Sequence, residues 1–301
     1  MKITLAVLAL ASLVLPFAHA GDTAAPAKAP APLAKIAIVG ASVSSGMGLD
    51  PNADPMSGAE SKVRLANVVE ASLVGAHDPI VDESTLMFFT SPKGLAASTA
   101  KSANAAKPSM LVALDYLFWL GYGPGSESAR IERLDAGLKA LEAFKCPVLL
   151  GDFADFNGAN VSRMMLAPEN IPSKETLDKL NAQVAEWAKK HANVVVVPVA
   201  EMFRKLRADE AIEVRGNKFA KGSRAKLMQQ DGLHTTLEGT CALWVIAIDA
   251  YLATKPAGVD EKAFECDVAK LAAKAPTALA GDDKSKPKAK GKAKEKAGAG
   301  G

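Results

Sequence analysis

Residues 35–48 read KIAIVGASVSSGMG. The first five, Lys35-Ile36-Ala37-Ile38-Val39, are a short apolar run without polar alternation, the pattern of a strand buried on both faces of a parallel sheet. Gly40 ends the run, and a turn of small residues follows as far as Gly48. Four more such runs lie downstream: Thr85-Leu86-Met87-Phe88-Phe89, Met110-Leu111-Val112-Ala113-Leu114, Pro147-Val148-Leu149-Leu150 and Val194-Val195-Val196-Val197. Amphipathic stretches stand between and after them. Ser126 to Phe144 carries Ile131, Leu134, Leu138 and Leu141 at helical spacing, and Thr176 to His191 carries Leu177, Leu180, Val184 and Trp187. A last helix is expected from Thr236 to Ala253. Strand and helix alternating five times predicts a doubly wound α/β sheet in one domain, residues 35–280. Such sheets bind ligands beyond the carboxyl ends of their strands, so the loop after each strand is where chemistry belongs.

The loop after the first strand, Gly40-Ala41-Ser42-Val43-Ser44-Ser45-Gly46-Met47-Gly48, fits neither common phosphate cradle. A P-loop needs four residues between its glycines and then a lysine; here there are five and no lysine. A dinucleotide fingerprint needs a third glycine opening a helix, where Leu49-Asp50-Pro51 stands. A nucleophile elbow, G-x-S-x-G, fails only at its last position, occupied by Ser44. What remains is Ser42 at the end of a strand, among backbone N–H groups able to stabilise an oxyanion. The same serines equally suit the capping of a turn.

A serine nucleophile needs a base. His77 lies in a surface-turn composition and His191 ends a lysine-rich helix, whereas His234 sits in Asp231-Gly232-Leu233-His234, directly before the last helix. At that spacing a carboxylate can accept the imidazole Nδ1–H, fix the tautomer and leave Nε2 free for a serine proton.

The serine turn after the first strand and the D-x-x-H before the last helix, in that order around five buried strands, resemble the SGNH (GDSL-type) hydrolase superfamily. Its first block, usually G-D-S-x-[ST]-x-G, corresponds to Gly40 through Gly46, with Ala41 in place of Asp; its last block corresponds to Asp231 through His234, with Gly239 following. The resemblance covers residues 35–254. It implies a flavodoxin-like five-stranded parallel sheet with helices on both faces and an esterase needing no metal or organic cofactor. Ser42 is then the nucleophile, His234 the general base and acid, and Asp231 its orienter. The Ser42 backbone N–H and Gly94 are the oxyanion-hole candidates. The substrates implied are small-molecule, lipid or glycan esters. The family's oxyanion-hole Asn after the third strand is missing: that loop reads Asp115-Tyr116-Leu117-Phe118-Trp119-Leu120. A second reading therefore stays open, a weak or inactive envelope protein that binds glycan or acyl groups in the same cleft. Asp115 reads as a structural partner of the neighbouring loop or as a group orienting substrate. Phe118, Trp119 and Tyr122 read as core or as a wall of the binding site. Asp152 and Asp155 read as loop caps, and the basic stretch Arg215 to Lys226 as a solvated face or a cover for the cleft.

The remainder of the 301 residues bounds the setting. Residues 1–20 combine Lys2, an apolar run from Ile3 to Phe17 and Ala18-His19-Ala20, the pattern of a cleaved secretory signal, which predicts a periplasmic or extracellular protein. Residues 21–34 are an Ala/Pro-rich linker, and residues 281–301 a lysine-rich tail too poor in apolar bulk to order itself. The tail reads as a solvated segment and, second, as a cationic arm making weak contact with acidic envelope polymers. Without tail and signal, the formal charge of +3 becomes −2, which excludes the electrostatic footprint of a nucleic-acid-binding domain. Of the three cysteines, Cys241 and Cys266 are the nearest pair for a disulfide, and Cys146 reads as a small buried hydrophobe.

Overall fold

The computed structural model describes residues 32–50, 61–159, 161–164 and 166–279. The signal pattern, the tail and nearly all of the linker lie outside the described residues.

Five parallel strands form the central sheet: β1 (Ile36–Ile38), β2 (Val81–Asp82), β3 (Met110–Ala113), β4 (Val148–Gly151) and β5 (Val194–Val197), in the order β2-β1-β3-β4-β5. That is the flavodoxin-like order. Every residue of β1, β3 and β4 is buried, as continuous apolar runs require when both faces are covered. The helices in chain order are α1 (Leu65–Ser72), α2 (Pro92–Ala105), the single turn α3 (Phe118–Gly121), α4 (Glu127–Leu141), α5 (Lys174–Lys189), α6 (Val199–Arg207), the short α7 (Arg224–Leu227), α8 (Leu237–Ala253) and α9 (Val268–Ala278). They fall into two groups: α4 packs on α2, α3 and α5, while α1, α8 and α9 pack on one another. Side-chain caps fix several starts, Ser126 accepting from the Ala129 amide, Ser173 from Thr176 and Thr236 from Gly239. No helix among the described residues is long and apolar enough to cross a membrane.

α8 is buried along most of its length, and its Trp244 donates an indole hydrogen bond to Ser72 Oγ at 2.7 Å, joining it to α1. Gly239 lies one turn into α8, where a Cβ would run into the Leu227 carbonyl. This close approach seats the helix, and the segment that precedes it, against α7.

Four of the five expected strands are present within a residue or two, and the second is not. Its run Thr85-Leu86-Met87-Phe88-Phe89 instead caps and forms most of a 3-10 helix, Leu86–Thr90, and the strand is the pair Val81–Asp82, held against Ala37 and Ile38. The Thr85 amide still reaches the Gly40 carbonyl, but the Thr85 hydroxyl then accepts from Met87 and turns the chain out of the sheet. Only Phe88 of this run is buried; Met87 and Phe89 stand half exposed.

The stretch Arg215 to Lys226 belongs to an antiparallel hairpin, β6 (Ile212–Val214) and β7 (Asn217–Phe219), and to α7. Arg215 turns back to Asp249 and Glu261, and no residue of the stretch lines the cavities around Ser42. The three cysteines are free thiols, Cys241 and Cys266 included.

Candidate active site

In this strand order the chain leaves β1 toward one edge of the sheet and β3 toward the other, so the loops after β1 and β3 part and leave a crevice between them. Ser42 follows β1 and Asp115 follows β3. The Ser42 segment is a tight coil in which the Ser45 amide donates to the Ala41 carbonyl, Gly46 to Val43 and Met47 to Ser42, with Gly46 and Gly48 at φ of 75° and 72°. Asp115 holds this coil from the far side of the crevice. Its Oδ1 accepts from the Ala41 amide (3.0 Å) and the Ser44 hydroxyl (2.5 Å), and its Oδ2 from the amides of Val43 (2.8 Å) and Ser44 (3.2 Å). Burial pushes this carboxyl above its usual pKa, opposed by the Ser44 hydroxyl and the three amides. Gly40 makes the approach possible, because a Cβ there would collide with the Asp115 carboxylate and the Ser44 side chain. Asp115 is the partner of the neighbouring loop, and it also lines the small cavity that reaches Ser42 and His234. The Ser42 amide itself has no hydrogen-bond partner among the described residues.

The second half of the site is local. Asp231 Oδ1 accepts from the amides of Leu233 (2.9 Å) and His234 (3.0 Å), a side-chain turn that bends the segment back on itself. Gly232, at φ 71°, supplies the left-handed residue the bend needs. Asp231 Oδ2 is then 2.6 Å from His234 Nδ1, and His234 Nε2 is 2.9 Å from Ser42 Oγ. A carboxylate can only accept, so Nδ1 carries the proton and Nε2 is left to take the serine hydrogen. Desolvation raises the Asp231 pKa, but hydrogen bonding and the charge of His234, with the two amides, outweigh it and hold the group below its usual range. His234 is 3% exposed, which limits competition by water for these bonds.

Gln229 joins the two halves. Its Nε2 donates to the Met47 carbonyl (2.8 Å) and to the Thr235 carbonyl (2.7 Å), tying the serine coil to the histidine turn across 182 residues. Its place two residues before Asp231 is the one mark it carries in the sequence.

Gly94 is not at the site. It lies exposed in the first turn of α2 and lines neither cavity around Ser42, because the 3-10 turn that replaces the expected second strand carries the chain outward before that position. The loop after β3 contributes Leu117 and Phe118 to a cavity wall in place of an amide side chain. Tyr122 is buried and Phe118 and Trp119 are half-buried, and all three line the cavities, Phe118 the small one and Trp119 and Tyr122 the wide one. Asp152 accepts from the Ala200 amide at the start of α6, and Asp155 from the amide of Asn157, so both act as caps. Among the described residues no group of His, Cys, Asp and Glu is arranged to hold a metal ion.

Two cavities meet at Ser42, Leu233 and His234. One is small, about 50 Å³; the other is a wide cleft of about 660 Å³.

No family model matches the chain, and no curated protein matches it. Among solved structures it is similar to a crystal structure of TesA, with a TM-score of 0.43 and 18% identity over 72% of this chain and 97% of that one. It is also similar to BT4096, a gut microbial diltiazem-metabolizing enzyme, with a TM-score of 0.40 and 11% identity over 73% of this chain and 46% of that one.

Proposed function

We propose that this chain is an exported serine hydrolase of the SGNH type that cleaves a carboxylic ester, acyl or O-acetyl, through an acyl-enzyme on Ser42. One observation carries the reading: Asp231, His234 and Ser42 form an unbroken hydrogen-bonded chain, 2.6 Å and then 2.9 Å, at the crevice of the sheet. The pattern of residues 1–20 supports export.

Ser42 Oγ attacks the ester carbonyl carbon as its proton passes to His234 Nε2, and Asp231 stabilises the imidazolium. The carbonyl oxygen becomes an oxyanion stabilised by the Ser42 amide, which has no partner among the described residues. The tetrahedral intermediate collapses, the C–O bond to the alcohol breaks, and the alcohol leaves with the proton from His234. Water then attacks the acyl-serine and gives its proton to His234; the acid departs and Ser42 recovers its hydrogen.

The test is hydrolysis of p-nitrophenyl acetate and butyrate together with labelling by a fluorophosphonate probe, beside Ser42→Ala and His234→Ala. The parent is expected to label at Ser42 and to turn over the esters, with both variants slower by about 10³-fold or more. A folded parent that neither labels nor exceeds the variants overturns the proposal. That outcome belongs to the second reading, an acyl- or glycan-binding protein, which the apolar Leu117 and Phe118 at the expected place of an oxyanion donor favour.

A further inference from the structure

The two cavities at Ser42 differ in size, lining and charge. The small one is walled by Leu114, Leu117, Phe153, Phe203 and Leu243, all buried, with Phe118 at its side, and the carboxylates of Asp115 and Asp152, tied to the Ser42 coil and to the start of α6, also line it. Ring contacts of Phe118 with Phe156 and of Phe156 with Phe203 brace this wall. Its volume suits a short acyl group, and overfilling a braced wall is costly.

The wide cleft is the opposite case. Four large apolar side chains stand exposed among the described residues, Val74, Met87, Phe89 and Met164, and the last three all line this cleft. Trp119 joins them, its ring centroid 5.8 Å from that of Phe89. Apolar side chains left bare and gathered in one groove mark a surface that something covers. Because the groove runs directly to Ser42 and His234, its occupant is the part of the substrate joined to the scissile bond.

The charge of the groove is one-sided. Its described lining residues include Arg133 and Arg163 and no carboxylate. Arg133 donates to the carbonyls of Leu120, Tyr122 and Pro124, bonds that orient the guanidinium without neutralising it, while the adjacent Glu132 is drawn off by Lys93 at 2.6 Å. Arg163 is exposed and has no ion pair among the described residues. The open groove also gives a departing alcohol a route to solvent while the acyl group stays bonded to the serine.

We infer that the preferred ester joins a short acyl group, held in the small cavity, to a large apolar alcohol, preferably aromatic, that carries a negative charge and lies in the wide cleft. This rests on the hydrolase reading above and adds the substrate class.

The experiment compares two isomeric esters on the full chain, 2-naphthylmethyl acetate and methyl 2-naphthylacetate, in which the large and small halves are exchanged while both remain alkyl esters. Each is paired with versions bearing a 6-sulfonate or a 6-trimethylammonium group. Fluorophosphonate labelling of Ser42 is measured on the same preparation. The acetate of the large alcohol is expected to have the higher kcat/KM. Its sulfonate should gain about two- to fivefold over the neutral ester, as an exposed ion pair permits, and the gain should shrink as salt is raised. In Arg163→Ala the sulfonate-to-neutral ratio should fall toward one. Preference for methyl 2-naphthylacetate, or indifference to charge, or a gain for the cationic ester, overturns the inference while leaving a labelled Ser42 in place. Absence of labelling overturns the hydrolase reading, and this one with it.

Discussion

In Asp115→Asn the side chain that holds the Ser42 coil keeps its size and loses one of its two acceptors. Each carboxylate oxygen takes a pair of donors, the Ala41 amide with the Ser44 hydroxyl on one side and the amides of Val43 and Ser44 on the other. An amide offers its oxygen to one pair and turns an NH2 toward the other. With the NH2 toward the first pair, the Ser44 hydroxyl can rotate to accept, but the Ala41 amide is left without a partner and the other two bonds lose their charge. An unsatisfied buried amide and the loss of charge assistance together cost about 2–4 kcal/mol. Relief of the desolvation that raises the Asp115 pKa offsets part of this, leaving about 2 kcal/mol. For a domain of this size that lowers Tm by about 4–8 °C. The coil would also stand less firmly, and a displacement of Ser42 of the order of 1 Å lowers its reactivity by about 10²-fold. Thermal unfolding and the rate of fluorophosphonate labelling measure the two effects separately. Ser44→Ala, which removes one neutral donor, is the comparator and should cost about 1 kcal/mol. An asparagine variant that melts and labels like the parent would refute the argument that this carboxylate positions the nucleophile.

Two further outcomes follow from the titrating groups. The Asp231 pKa is depressed in the folded state, so its ionised form stabilises the fold above the unfolded value near ~3.9, and that contribution fades as pH falls through the depressed folded value. The stability gap between parent and Asp231→Asn, from urea unfolding between about pH 3 and 6, should therefore be full at the upper end and close toward the lower; a gap that does not change would contradict the linkage. Loss of solvation pushes the Cys146 thiol up to about 11 and Cys241 up to about 12, and raises Cys266 against the pull of Arg215. Native protein near pH 8 should react slowly with a thiol reagent and, once unfolded without reductant, should yield three equivalents; a yield of one would show that two of the three are joined in a disulfide.

The parts of the fold that were legible in the sequence are those whose cause is local. Ile36–Ile38, Met110–Ala113 and Val148–Gly151 announce themselves because a strand covered on both faces has no polar positions to fill. The Asp231–His234 pair was legible for a similar reason, since three residues and a Gly in the left-handed region suffice to fold the carboxylate onto the imidazole. The run from Leu86 to Thr90 misled because apolar composition does not distinguish a buried strand from a turn that bares Met87 and Phe89 to a cleft. Gly94 followed from that misplaced strand, and its position moved with it.

By itself, then, the sequence determined the fold class, the residue types of the site and their order along the chain, because each depends on contacts within a few residues. Only the tertiary structure decided that Ser42 and His234, 192 residues apart, come within 2.9 Å, that Asp115 fixes the serine coil, and that Gln229 ties the coil to the histidine turn. It also decided that two unequal cavities meet at that serine. The physical reason is the strand order: a parallel sheet that reverses direction between β1 and β3 brings distant loops to one crevice, and which side chains face one another there is set by packing between segments that carry no mark of each other.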